Sequence, residues 1–230
     1  MTQDLLDHLP LYVGYDQKLW DRKLEEQERQ LSVRLERYKK RNQGNPEKVL
    51  KDAVQGEVGE FCVAYSLKKF YGKQKVVQVP YNDEEICEEI MYETGIDFGK
   101  HDPDIFIKRP NEKRLYIHVK TQTIELANNP SFGMGWMVQS NHHDQMKFLS
   151  ERKRIENHYF IGTVIDTEKQ SVKLTVVQRY PTLLNNDLFG HPKLDKLKGN
   201  KRTIYRQTLL DNGINPVIDL PPAYVEESIL

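Results

Sequence analysis

Two short apolar runs near the middle of the chain most constrain what it can fold into. Residues 101–107 (HDPDIFI) and 115–120 (LYIHVK) combine aromatic and β-branched side chains with alternating polar ones, a pattern typical of β-strands. Residues 108–114 between them are mostly charged and contain Pro110 and Asn111, which favour a turn. The sequence therefore predicts a β-hairpin at the centre of the chain.

The second strand of this hairpin carries polar side chains on one face. Successive side chains of a strand point to opposite faces, so one face collects Tyr116, His118, Lys120 and Gln122. Asp104 enters the neighbouring strand. A carboxylate oxygen suits a hard divalent cation, and a lysine beside it can hold a phosphate or an attacking water. These residue types predict a metal-dependent site rather than a packed core.

The same residues resemble the motif of the PD-(D/E)xK nuclease superfamily, the restriction-endonuclease-like proteins. Pro103 and Asp104 stand for the PD, and residues 118–120 stand for the (D/E)xK tripeptide, with His118 in place of its acidic residue. The resemblance covers about residues 47–177, whose predicted order is helix, three strands, helix, strand. It implies an α/β (α+β) fold with a central mixed β-sheet flanked by helices.

A predicted helix over residues 46–71 supports the resemblance. Its apolar stripe is interrupted by Gly56 and Gly59, and glycine inside a helix lowers its stability. Glycines at these positions indicate that another backbone or a ligand must approach the helix closely. Glu57 and Glu60 lie beside the stripe. The superfamily commonly has a Gly-x-x-Gly-Glu helix that supplies a carboxylate to the metal site. By that pattern Glu60 is the expected ligand, and Glu57 is the reserve.

The resemblance also implies the role of each catalytic residue. Asp104 would bridge the metal and the substrate, Glu60 would bind the metal directly or through water, and the Val119 carbonyl would be a further ligand. Lys120 would orient the water or stabilise developing charge. The expected cofactor is Mg²⁺, with Mn²⁺ as the alternative, and the expected reaction is hydrolysis of double-stranded DNA at specific sites.

His118 has three interpretations that the sequence leaves open. A neutral imidazole can be a metal ligand, although it suits zinc, manganese or iron better than magnesium. It can instead contact a phosphate, or mark a site that has lost catalysis. If it replaces a carboxylate, Glu57, Asp97 or Asp102 would have to restore the missing negative charge. Two neighbouring histidines, His142 and His143, are expected at the surface or at a helix cap.

Charge is balanced overall but unevenly distributed. The 34 basic residues equal the 34 acidic ones, so net charge does not indicate nucleic-acid binding by itself. Acidic residues concentrate in residues 83–104, and basic residues dominate residues 147–206. We therefore expect a metal-holding edge beside a phosphate-binding surface. The residues expected to contact DNA are Gln122, Gln139, Lys196, Lys198, Lys201 and Arg202.

The rest of the sequence predicts a three-part organisation. Residues 1–45 would form an N-terminal helical arm, residues 46–178 the nuclease core, and residues 179–230 a basic extension packed on that core. The arm's leucines would contribute to a homodimer. With two cysteines, no signal peptide and no membrane-spanning stretch, the chain is expected to be soluble, intracellular and cytoplasmic. The alternatives are a structure-specific nuclease for junctions or flaps, and an inactive nucleic-acid-binding module.

Overall fold

A six-stranded sheet organises the fold. The computed structural model describes residues 12–39, 45–79, 84–95, 103–109, 113–193, 199 and 201–217. The strands are β1 (Tyr12–Gly14), β2 (Val76–Gln78), β3 (Ile105–Ile107), β4 (Leu115–Thr123), β5 (Gly135–Gln139), β6 (His158–Asp166), β7 (Ser171–Arg179), β8 (Phe189–Gly190) and β9 (Lys201–Tyr205). The helices are α1 (Gln17–Arg29), α2 (Leu31–Lys39), α3 (Pro46–Tyr71), α4 (Glu84–Thr94), α5 (Ile124–Asn128), α6 (Ser140–Glu151), α7 (Tyr180–Asn185) and α8 (Arg206–Asp211).

The sheet is mixed, and the predicted hairpin lies inside it. Its strand order is β1-β7-β6-β4-β3-β2. β4 and β6 run parallel, and the other neighbouring strands are antiparallel. β3 is shorter than the predicted strand, and its register with β4 sets Ile105 opposite Ile117. A second, three-stranded sheet has the order β5-β9-β8.

Helices cover both faces of the sheet. α3 packs on the face formed by Ile105, Ile117 and Val119, where its residues Val63 and Leu67 are fully buried. α6 and α7 pack on the opposite face, in a cluster that also contains residues of β5 and β9. The predicted mixed α/β architecture, a central sheet flanked by helices, is therefore confirmed.

The ends of α3 follow from local chemistry. The side chain of Asn45 caps the helix by accepting a hydrogen bond from the Lys48 backbone N–H at 3.1 Å. Pro46 occupies the first turn, where its missing N–H costs nothing. Gly72 ends the helix with a φ of +92°, a conformation that favours glycine. These signals were readable in sequence, and the predicted bounds of this helix agree with the observed ones.

Two predicted elements differ from the structure. The sequence pattern predicts one helix from Asp16 to about Arg41, but the helix breaks at Gln30, whose N–H bonds back to the carbonyl of Gln27. The pattern also predicts a strand over residues 203–209, but β9 ends at Tyr205 and the chain turns into α8. The pairing of β9 with β5 decides this boundary, because only residues up to Tyr205 have a partner strand.

β1 and α1 are packed on the core. Leu19 of α1 is buried against Val54 and Val58 of α3, and Leu24 packs against the same cluster. β1 adds an edge strand to the sheet by pairing with β7. No helix in the described part of the chain is long and apolar enough to cross a membrane.

Candidate active site

Asp104 lies immediately before β3, at the point where the sequence motif predicts a catalytic carboxylate. It is 6% exposed. Its Oδ2 accepts a hydrogen bond from the backbone N–H of Val119 at 2.6 Å and lies 3.4 Å from the Nζ of Lys120. The antiparallel register of β3 and β4 produces this proximity, because it brings the start of β3 level with residues 118 and 119.

Lys120 joins the carboxylate to a backbone oxygen. Its Nζ donates a hydrogen bond to the carbonyl of Val119 at 2.9 Å, in addition to its ion pair with Asp104. The ammonium group thus lies between a carboxylate and a carbonyl oxygen. These are the oxygen ligands that a hard divalent cation prefers.

α3 approaches this region through Gly59. A Cβ added at Gly59 would lie 2.0 Å from the Oγ1 of Thr121, so only glycine allows the helix to pack this closely on β4. Glu60 follows directly and is half-buried. Glu57, the reserve ligand, accepts a hydrogen bond from Lys23 of α1 at 3.4 Å. The role of Glu60 as a metal ligand stays a prediction.

His118 lies in a buried cluster of rings. It is fully buried, and its Nε2 shares a hydrogen bond with the Nδ1 of His158 at 3.0 Å. Its ring packs edge-on against His142 and Tyr180, with centroid distances of 5.0 and 5.1 Å. The hydroxyl of Tyr180 lies 2.9 Å from the Nε2 of His142. We call His118, His142, His158 and Tyr180 the histidine cluster.

Within the histidine cluster, a positive charge on His158 is disfavoured. Burial, together with the neighbouring His118 and His142, holds the pKa of His158 well below its ordinary value. The expectation that His142 and His143 lie at the surface or cap the helix is wrong, because both are buried. His143 packs edge-on against Phe189, and burial lowers its pKa. The two histidines therefore belong to the buried face of α6. A sequence pattern that counts only apolar residues assigns them to the surface.

A basic cleft opens beside Lys120. It is a space of about 440 Å³ at the end of β4, between the first turns of α3 and the β5-β9 sheet. Four lysines line it: Lys48, Lys120, Lys193 and Lys201. Phe132 and Tyr205 contribute aromatic surface. Cationic and aromatic side chains in one groove are typical of surfaces that bind phosphates and bases. We call this space the lysine cleft.

The residues predicted to contact DNA fall in different places. Gln122 lines the lysine cleft, but its side chain donates to the carbonyl of Gly133 and accepts from the N–H of Gly135. Lys201 lines the cleft, and the guanidinium of Arg202 donates to the carbonyl of Lys201 at 3.2 Å. Gln139 is half-buried and pairs with Lys201 across the two strands. Lys196 and Lys198, like Asp97 and Asp102, lie outside the described residues.

Lys48, Gln55 and Lys193 are among the cleft residues that the sequence did not predict. Lys48 and Gln55 lie on the face of α3 that leads to Gly59, and both line the lysine cleft. Gln55 is 6% exposed, which is unusual for a polar side chain on a helix. Lys193 reaches the cleft from the segment after β8. Lys48, Gln55 and Gly59 are spaced like one helix face, and this spacing was the available signal.

The described side chains limit which metal ion this region could bind. Within the described ranges, no three His, Cys, Asp or Glu side chains are grouped so that they could hold a metal ion. Magnesium is commonly bound by only one or two carboxylates together with waters and substrate phosphates. The Asp104 carboxylate and the Val119 carbonyl fit that pattern of ligands. Zinc, which prefers three or four nitrogen and sulfur ligands, does not fit the described side chains.

Comparison with protein-family models, curated proteins and solved structures found no match for this chain.

Proposed function

We propose that this chain is a divalent-metal-dependent endodeoxyribonuclease and that cleavage takes place where Asp104 meets Lys120. The observation that carries the proposal is the ammonium of Lys120, which lies 3.4 Å from the Asp104 carboxylate and 2.9 Å from the Val119 carbonyl. Lys120 also lines a cleft that contains three further lysines. A cation position beside a groove of cationic side chains is an arrangement that suits metal-assisted phosphodiester hydrolysis.

Each residue has a distinct task in this proposal. Asp104 and the Val119 carbonyl would hold Mg²⁺ or Mn²⁺, and Glu60 would contribute a further carboxylate. The bound metal would supply an activated water and charge stabilisation at the phosphate. Lys120 would move from the two oxygens to the phosphate, where its ammonium offsets the charge that develops in the transition state.

The lysine cleft would bind the DNA backbone. Lys48, Lys193 and Lys201 would contact phosphates, which position the duplex without reading its sequence. Cleavage of both strands usually takes two active sites, so the proposal includes a homodimer. The substrate would be double-stranded DNA, cut at specific sites as restriction-type enzymes do.

A second candidate is a nucleic-acid-binding module that has lost catalysis. The observation that favours it is the histidine cluster. His118 stands where the (D/E)xK tripeptide has its acidic residue, and its ring is fully buried among other rings. In this reading, the lysine cleft binds DNA and no bond is broken.

One experiment separates the two candidates. Purified protein is incubated with mixed plasmid DNA and either Mg²⁺ or Mn²⁺, and any ends are mapped by sequencing. The nuclease proposal predicts new ends with a shared sequence or structural context. Binding of duplex DNA without new ends under either metal would instead favour the binding module. Ends at junctions or flaps alone would indicate a structure-specific nuclease.

A further inference from the structure

We propose that a second anion-binding site lies at the opposite end of β4 and takes a small ligand with adjacent phosphate groups. The site is a recess of about 730 Å³ whose described lining comes from the two ends of the β3–β4 connection, the end of α4 and the segment before β6. That volume is within the range of small-molecule sites, about 300–1,000 Å³. We call it the hairpin pocket.

The hairpin pocket is separate from the lysine cleft. β4 begins at Leu115 beside the pocket and reaches the cleft at Lys120. Five residues of strand span about 16 Å. None of the residues that line the pocket also lines the cleft. A ligand in the pocket therefore does not share the phosphate-binding groups of the proposed active site.

The described lining of the pocket carries an excess of positive charge. Five of the described lining side chains are cationic: Lys108, Arg109, Lys113, Arg114 and Arg154. Among the described lining residues, Glu93 is the one carboxylate; it forms an ion pair with Arg114 at 3.2 Å and accepts a hydrogen bond from Tyr116. This carboxylate is therefore engaged by Arg114 and Tyr116 inside the protein.

Two guanidinium groups are held in fixed positions. Arg109 donates from Nε and Nη2 to the carbonyl of Lys113, at 3.0 and 2.6 Å. Arg154 donates from Nη1 to the carbonyl of Thr94 at 3.2 Å, where it lies against Gly95 at the end of α4. A guanidinium fixed by backbone oxygens loses little further freedom when it binds a second partner. Its planar fork of donors matches two oxygens of a phosphate.

Two lysines complete the pocket from the solvent side. Lys108 and Lys113 flank the turn, and both are exposed. The two guanidinium groups held by backbone oxygens and the two exposed ammonium groups can together bind two neighbouring phosphates. A volume in the range of small-molecule sites suits a small polyphosphate, and the duplex arm of the test below distinguishes this ligand from a DNA backbone.

Inorganic pyrophosphate is the probe for this site. Its affinity for the full-length protein is measured by isothermal titration calorimetry, without DNA. The test variant is Lys108→Ala/Lys113→Ala, because these exposed residues can be replaced without disturbing the core. The matched control is Lys169→Ala/Lys173→Ala, which removes the same charge from two exposed positions, one in the β6–β7 turn and one on β7.

We expect wild type and the control to bind pyrophosphate alike, and the test variant to bind at least about tenfold more weakly because two charge-assisted contacts are lost. Arg154→Gln should weaken binding as well. Equal affinity in the two double variants, or no binding by wild type, would overturn the proposal. A parallel loss of affinity for a short DNA duplex in the test variant would overturn the small-ligand assignment and make the pocket part of a DNA surface. Neither result depends on whether the protein cleaves DNA.

Discussion

At the scale of single residues, His118 shows how burial changes the interpretation of a motif position. The sequence leaves it as a metal ligand, a phosphate contact or a sign of lost catalysis. In the structure its ring is enclosed by the histidine cluster, with His158 at hydrogen-bond distance. This environment favours a packing role, because a buried ring that contacts three others contributes to the core.

Replacing His118 with glutamate restores the superfamily's acidic residue and tests that role. We expect His118→Glu to lower the free energy of unfolding by about 3 kcal/mol or more, because a carboxylate would be buried among rings. Urea denaturation measures the change. His191→Glu is the matched control, since His191 is exposed, and should change stability by less than about 0.5 kcal/mol. A stable His118→Glu protein with increased magnesium-dependent cleavage would show that position 118 belongs to the metal site.

His158 makes stability depend on pH in a definite direction. Its pKa is depressed in the folded state, whereas the unfolded chain takes up the proton near the ordinary value of about 6.5. Below that pH the unfolded state binds more protons, so stability is fully present above about 6.5 and falls as the pH decreases towards the folded-state pKa. Urea denaturation between pH 8 and about 5.5 should show this loss, and His158→Phe should reduce it. An equal slope in both proteins would contradict the assignment to His158.

At the scale of elements, α3 was the most predictable part of the fold, and its glycines provide a matched test. Gly56 and Gly59 lie one turn apart on the same helix, but a Cβ at Gly56 would meet nothing within 4 Å, whereas one at Gly59 would collide with Thr121. We expect Gly56→Ala to raise the free energy of unfolding by about 0.5–1 kcal/mol. Gly59→Ala should lower it by about 1–3 kcal/mol.

Thermal and urea denaturation of the two alanine variants provide the measurement. The sequence predicts that glycines here allow close approach, and the structure assigns that approach to Gly59 alone. Similar effects of the two substitutions would mean that α3 does not pack on Thr121 as described.

Local signals explain which elements could be predicted from the sequence. The cap at Asn45, the proline after it and the glycine at position 72 fix α3 without reference to other residues. Strand alternation correctly separated the two faces of β4. The boundary between β9 and α8, in contrast, depends on pairing with β5, which is more than 60 residues away in sequence. Alternation also could not reveal that His142 and Tyr180 cover one of those faces.

Only the part of the candidate site that depends on local sequence was predictable. The proximity of Asp104 and Lys120 follows from a hairpin register, which is local. The lysine cleft combines residues of α3, β4 and β9 with Lys193, so only the folded chain brings them together.

At the scale of the whole molecule, the first two helices are the expected dimer surface. Leu24 packs against the core cluster of α1 and α3. Leu31 and Leu35 of α2, in contrast, are only half-buried, and Val33 is 50% exposed. We expect wild type to be a dimer by multi-angle light scattering at micromolar concentration. Leu35→Asp should produce a monomer, because a charge in an apolar interface costs far more than one in water. Leu210→Asp, on the exposed surface of α8, is the control. A monomeric wild type with and without DNA would contradict this expectation.

The central claim is that Asp104 and Lys120 form the catalytic site, and one side-by-side assay tests it most directly. Cleavage of plasmid DNA is followed with Mg²⁺ and with Mn²⁺ for wild type, Asp104→Asn and the control Asp144→Asn, whose carboxylate is exposed. Asparagine can still accept the hydrogen bond from Val119, so Asp104→Asn should remain folded while losing a negatively charged ligand. We predict cleavage by wild type and Asp144→Asn, and at least about a hundredfold loss in Asp104→Asn. Equal cleavage by all three proteins, or none by wild type under either metal, would contradict the account.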